Sequence, residues 1–157
     1  MTTTTILAID PGTDQSAYVV WAAGRLLACD IVPNGDLVQQ LESGAIRHDV
    51  LACEMIASYG MPVGREVFET CVWIGRFLQA AKRPARLVYR QDVKLHLCRT
   101  SRAKDANVRQ ALLDKHGPVG TKSNPGPLYG VKSHIWAALA VADYAASSET
   151  SGATKAV

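Results

Sequence analysis

The sequence is short of several things, and each shortage narrows what it can be. Only four of its 157 residues are cysteine. Cys29, Cys53, Cys71 and Cys98 stand far apart, with neither the paired spacing of a zinc site nor the density of a secreted disulfide scaffold. They are expected to be reduced core residues. Long hydrophobic runs are missing too: the longest, in the last predicted helix, breaks well before the roughly 20 residues that a membrane span requires. The N-terminus has no basic-then-apolar signal pattern, and there are no internal repeats. With 48% of its residues hydrophobic, the chain is expected to be one soluble, intracellular domain with a real core.

Acidic residues are scarce in one block. Residues 82–132 hold twelve Lys/Arg against three Asp/Glu, whereas residues 1–81 hold four against nine, so the overall charge of +3 conceals a basic segment. Such a block is either a solvated face or a surface for a polyanion.

What is present begins with Ile6-Leu-Ala-Ile-Asp10-Pro-Gly-Thr13. Four apolar residues, too few for a helix, run into an aspartate that a Pro-Gly turn ends at once. Asp10 is therefore expected at a strand tip, held in direction by the sheet yet open to solvent; Asp-Pro-Gly is also a common turn in its own right. Two more strands follow, Ser16–Trp21 and Arg25–Val32, joined as a hairpin around Ala22-Ala-Gly24. Asp36–Ser43 has helical spacing stopped by Gly44. Asp49-Val-Leu-Ala-Cys-Glu54 then repeats the opening pattern, an apolar strand ending in an acid.

From Pro62 to about Ala81 the spacing predicts a long amphipathic helix with Val63, Val67, Cys71, Ile74 and Leu78 on one stripe, widened by Phe68, Val72, Trp73 and Phe77. That surface is either all core or partly a subunit interface. A third strand over Arg86–Arg90, a helical turn over Gln91–Cys98 and a helix over Ala103–His116 are predicted next. Pro118–Gly130 reads as an extended loop of the functional or disordered kind. Ser133 is expected to cap a closing Ala-rich helix from His134 to about Ala146, with a frayed tail over 147–157.

Asp10 and Glu54 thus end two hydrophobic strands separated by a strand–helix order that makes them neighbours. If those strands are parallel, both carboxylates leave the same sheet edge, which is what Mg²⁺ or Mn²⁺ requires. A pair of ions about 4 Å apart can activate water and stabilise the leaving oxygen of a phosphodiester.

The run Ile6–Ser16, the strand Leu51–Glu54, the helix Lys104–Leu113 and the Ala138-Leu-Ala-Val-Ala142 helix together resemble the RuvC-type Holliday junction resolvases of the RNase H-like fold. They look closest to the phage and prophage branch. The resemblance covers most of residues 5–146. It implies an α/β fold with a five-stranded mixed sheet flanked by helices, a nuclease domain over 1–146 and a homodimer. It also implies Mg²⁺- or Mn²⁺-dependent cutting of four-way DNA junctions in the cytoplasm, with two ions expected. The family's acids match Asp10 and Glu54, and it usually has two more, three residues apart, before the Ala-Leu-Ala run. Here those positions are His134 and Ala137.

A neutral imidazole can bind a divalent metal, so His134 is either a third ligand or a plain helix-start residue. Asp143, nine residues on and about 180° around the helix, faces away from it. Asp14 is either a weaker auxiliary or a solvated loop acid. Lys104 matches a family lysine that faces the DNA backbone, and Arg102, Arg109, Lys122 and Lys132 are expected to join it on phosphates, as could Arg99. Two other readings stay open. Asp10-Pro-Gly-Thr13 also resembles the phosphate loop of sugar kinases and actin-like ATPases, a fold that needs two such domains. With Ala137 in place of an acid, the protein could also bind branched DNA without cutting it.

Overall fold

The computed structural model describes residues 2–150, except for the side chain of Thr150. Five strands form one mixed sheet: β1 (Ile6–Asp10), β2 (Gln15–Ala22), β3 (Arg25–Pro33), β4 (Val50–Met55) and β5 (Ala85–Tyr89), in the spatial order β3-β2-β1-β4-β5. The first three form an antiparallel meander, whereas β4 and β5 run parallel to β1. The β2–β3 hairpin is closed by two residues, Ala23 and Gly24, both at positive φ (52° and 70°), the handed turn that matches strand twist.

Helices cover both faces. Because side chains alternate along a strand, Leu7, Ile9, Leu51 and Cys53 face one way, into a core with α1 (Asn34–Ser43) and α2 (Arg65–Ala81). Ile6, Ala8 and Ala52 face the other way, into a core shared with α3 (Arg90–Cys98), α4 (Asp105–His116) and α5 (Ile135–Thr150). Ala138, Ala142 and Ala145 of α5 are fully buried in that second core with Ala8 and Ala52. Methyl groups on both sides let the helix axis lie close over the sheet centre.

Several local expectations shift. The buried face of α2 is Thr70, Ile74, Phe77, Ala80 and Ala81, so Phe77 is core rather than flank. Val67, Cys71 and Leu78 are only half-buried, and Val63 lies before the helix. The reason is that α2 packs on α1 as well as on β4, which rotates its inward face away from the most apolar stripe. Phe68 and Val72 consequently remain 61% and 64% exposed.

The 118–130 segment is a loop, as expected, and it is held by its own backbone: Gly126 N–H donates to Val119 C=O, Leu128 N–H donates to Pro118 C=O, and Gly120 and Pro125 form a bridge. Residues 90–98 make a full helix, not a single turn. α5 starts one residue late, at Ile135, with Ser133 in the left-handed region (φ 49°); His134, not Ser133, occupies the capping position and its carbonyl accepts from Ala137 and Ala138. α5 also runs to Thr150, past the expected end near Ala146. The remainder of the expected tail, 151–157, lies outside the described residues. No helix among the described residues is long and apolar enough to cross a membrane.

Candidate active site

β1 and β4 pair in parallel with Ile9 opposite Cys53, so Asp10 and Glu54 leave neighbouring strands at the same edge. Both continue the side-chain alternation of Ala8 and Ala52, and therefore both point to the α5 side of the sheet. The turn after Asp10 is locked from below. Gly12 N–H donates to Ser16 Oγ (3.2 Å), Ser16 Oγ–H donates to Asn34 Oδ1 (2.6 Å), and Asn34 Nδ2–H donates to Gly12 C=O (2.9 Å). Ser16 and Asn34 are almost completely buried. Gly12 itself cannot be replaced cheaply, since a Cβ there would stand 2.4 Å from the Gln15 carbonyl oxygen.

The two carboxylates are near enough for the charge of one to act on the other. Burial first, and then the charge and hydrogen bond of Glu54, push the Asp10 carboxyl up to about 8; two like charges side by side out of water do not both ionise readily. Glu54 Oε1 accepts from Arg90 Nε at 2.9 Å, and Arg90 Nη1 lies 3.8 Å from Asp105 Oδ1. Burial alone would lower the Arg90 guanidinium, but Glu54 and Asp105 outweigh it and hold it above its ordinary value. His134 reaches the cluster from α5, its Nδ1 3.3 Å from Asp10 Oδ2, with most of the ring in solvent. Asp14 is exposed and contributes its carbonyl, not its carboxylate, as acceptor for Asn34 N–H.

Asp10, Glu54 and His134 are thus brought together. Even so, the described residues contain no group of three or more His, Cys, Asp or Glu side chains that could hold a metal ion. The donor chemistry nonetheless suits a divalent cation. Mg²⁺ keeps several waters and commonly takes one or two carboxylates plus substrate phosphate oxygens, and a crowded carboxylate pair is relieved by a cation.

The expected cations separate. Arg109 lines a cavity beside the acids, and Lys104 caps α4, next to Asp105, which lines the same cavity. Arg102 and Lys132 are exposed just before α4 and α5. Lys122 sits in the 118–130 turn, whose Pro127 and Leu128 line a hollow with Trp21 and Gly24 at the opposite end of the sheet, so it does not join the cavity wall. Arg90, Lys94 and Asp105 were not singled out from the sequence. The usable signal was that Arg90 directly follows the apolar run of β5 and opens α3, at the edge where β4 carries Glu54, with Met55 opposite Tyr89.

No family model matches the chain, and no curated protein matches it by sequence. Solved structures do match. Thermus thermophilus RuvC superposes with a TM-score of 0.74 at 21% identity, over 98% of this chain and 99% of that one. T. thermophilus RuvC in complex with a Holliday junction substrate superposes with a TM-score of 0.75, at the same identity and coverage. The fold is therefore the RuvC-like, RNase H-like fold, a five-stranded mixed sheet with flanking helices.

Proposed function

We propose that the protein is a divalent-metal-dependent endonuclease that cuts four-way or related branched DNA. The observation that carries this is the pair Asp10 and Glu54, side by side on adjacent parallel strands, with one of the two acids pushed up to about 8. The match to a solved RuvC in complex with a Holliday junction substrate supports the choice of DNA.

Mg²⁺ or Mn²⁺ bound by Asp10 and Glu54, with His134 beside them, would activate a water and stabilise the leaving phosphodiester oxygen. The chain's own contributions are positional. Arg90 fixes the direction of Glu54. α3, α4 and α5 all start beside the acids, with Arg90, Asp105 and His134 at or next to their first turns, so their N-terminal dipoles favour a phosphate. Lys104, Arg102, Arg109 and Lys132 supply backbone contacts that read charge and shape, and Lys122 joins them only on DNA that reaches further.

Wild-type protein is expected to nick a labelled four-way junction with Mg²⁺ or Mn²⁺. His134→Ala is expected to lower metal affinity about tenfold without changing the melting temperature. Identical rates for the two proteins across a metal titration would remove His134 from the ligand set, and binding with no cutting in either metal would leave a branched-DNA-binding protein.

Symmetric cutting requires two sites, and we propose a homodimer through the exposed Phe68 and Val72 of α2, continued by Met61. Light scattering should give a mass near twice 16.9 kDa, and Val72→Asp should return it to the monomer value. A wild-type monomer at assay concentration would refute paired cutting.

A further inference from the structure

Beside the acids lies a cavity of about 270 Å³ between α3, α4 and α5. Its floor is apolar: Val93, Val108, Ala140 and Val141. It exists because Ala137 and Ala140 present only methyl groups where the three helices converge. One wall is Trp136, half-buried, with the Arg109 guanidinium over its ring at 5.4 Å. The mouth is polar and carries Glu54, Arg90, Lys94, Asp105 and His134. The cavity therefore opens directly onto the edge where Asp10 and Glu54 stand.

We infer that this cavity is a pocket for one unpaired nucleobase of the DNA being cut, with Trp136 as its stacking platform and a specificity-determining residue. The inference rests on the nuclease reading above and deepens it. Four features select this occupant. The wall is a planar indole with the Arg109 guanidinium over its ring, and an aromatic side chain of that kind suits a flat π-system. The volume lies just under the roughly 300–1,000 Å³ of pockets for drug-sized ligands, which suits one ring system and excludes a duplex. Lys94 at the mouth can hold a phosphate next to an inserted base. Finally, the mouth shares Glu54 and His134 with the acid cluster, so a base seated there belongs to a nucleotide close to the phosphate being cut. A base can reach it only by leaving its stack, which costs least where pairing is already broken, as at a branch point.

The experiment measures junction binding in EDTA, so that no cutting occurs. Wild type, Trp136→Ala and Trp136→Phe are compared on an intact four-way junction and on junctions carrying a single abasic site at successive positions around the crossover. On the intact junction, wild type is expected to bind about tenfold tighter than Trp136→Ala, the scale of one base stacked on an aromatic side chain, with Trp136→Phe close to wild type. At one abasic position the three proteins should bind alike, because the base that Trp136 holds is gone. Circular dichroism and melting curves identify a Trp136→Ala protein that has simply unfolded, and Trp136→Leu, which keeps apolar volume but has no π-face, then carries the comparison and is expected to bind the intact junction about tenfold more weakly than wild type.

A constant wild-type advantage at every abasic position would overturn the pocket while leaving junction binding intact. A loss of dimer mass by light scattering in Trp136→Ala, with no dependence on the abasic site, would overturn it in favour of a side chain from a second copy. No junction binding by wild type would remove the nuclease reading, and the pocket with it.

Discussion

Asp10→Asn is expected to reduce junction cutting by at least about a thousandfold, the scale at which removal of one central electrostatic group acts, while junction binding in EDTA stays within about twofold. The asparagine keeps the shape of the strand tip and the turn locked by Ser16 and Asn34, so binding surfaces are undisturbed. What it removes is a charge that the fold holds at a cost. Burial, with the neighbouring Glu54, raises the Asp10 carboxyl from 3.8 to about 8. Between those two values the folded state holds a proton that the unfolded state has released, so stability of the metal-free protein falls as pH rises from about 4 to 8.

Asp10→Asn should therefore stabilise the metal-free protein near pH 8, by about 1–2 kcal/mol or about 2–8 °C in melting temperature. It should also flatten the pH slope. An inactive and stabilised variant is the signature of a site at which stability was given up for function. An inactive variant that melts earlier would mean that Asp10 serves the fold, and a variant that still cuts at the wild-type rate would refute its central place.

Asp143→Ala is expected to be the most destabilising single change among the polar residues, by about 3 kcal/mol, a drop of about 6–12 °C measured by thermal denaturation. Asp143 is buried in the middle of α5, where its Oδ2 accepts from His96 Nε2 at 3.0 Å, its Oδ1 accepts from His116 Nε2 at 2.7 Å, and Lys115 Nζ lies 3.0 Å away. One carboxylate thus ties α3 and α4 to α5, at the end of those helices remote from the cavity. Its removal strands partners from two helices and loosens the frame that aligns Arg90, Asp105 and His134.

Burial alone would raise the Asp143 carboxyl, but hydrogen bonds from Lys115 and His116 outweigh it and hold it below the ordinary 3.8. Its stabilisation is therefore complete above about pH 4 and is lost as pH falls through the lower, folded value, opposite in sign to Asp10. Asp143→Asn, which keeps an acceptor oxygen, should cost less and remove the acid-side loss. A melting temperature unchanged in Asp143→Ala would show that the three partners are satisfied by water.

Much of this is legible in the amino-acid sequence. The strand-tip acids were readable because a strand needs only a short apolar run and a breaker, both local signals: Ile6–Ile9 before Asp10, and Leu51–Cys53 before Glu54. The hairpin, the Gly44 stop and the opposed orientation of Asp143 and His134 followed from turn chemistry and helix period in the same way. The face of α2 was misread because the choice among Val67, Phe77 and Leu78 is made by α1 and β4 together, and an apolar stripe carries no record of two partners. The cap at Ser133 was misplaced because its backbone is left-handed, a conformation that its side chain does not announce.

By itself, then, the sequence determined the short apolar strands and the two acids at their tips, since period-2 alternation and chain breakers act within a few residues, while the five-stranded mixed sheet was implied by the resemblance of several motifs taken in order. Tertiary structure alone decided the rest. Parallel pairing of β1 with β4 set Asp10 beside Glu54, and burial first, then that neighbour, raised its carboxyl. β5 delivered Arg90 to the same edge, and three helix starts from distant parts of the chain enclosed a Trp136-walled cavity. Those features depend on distances between segments far apart in sequence, and only packing sets such distances.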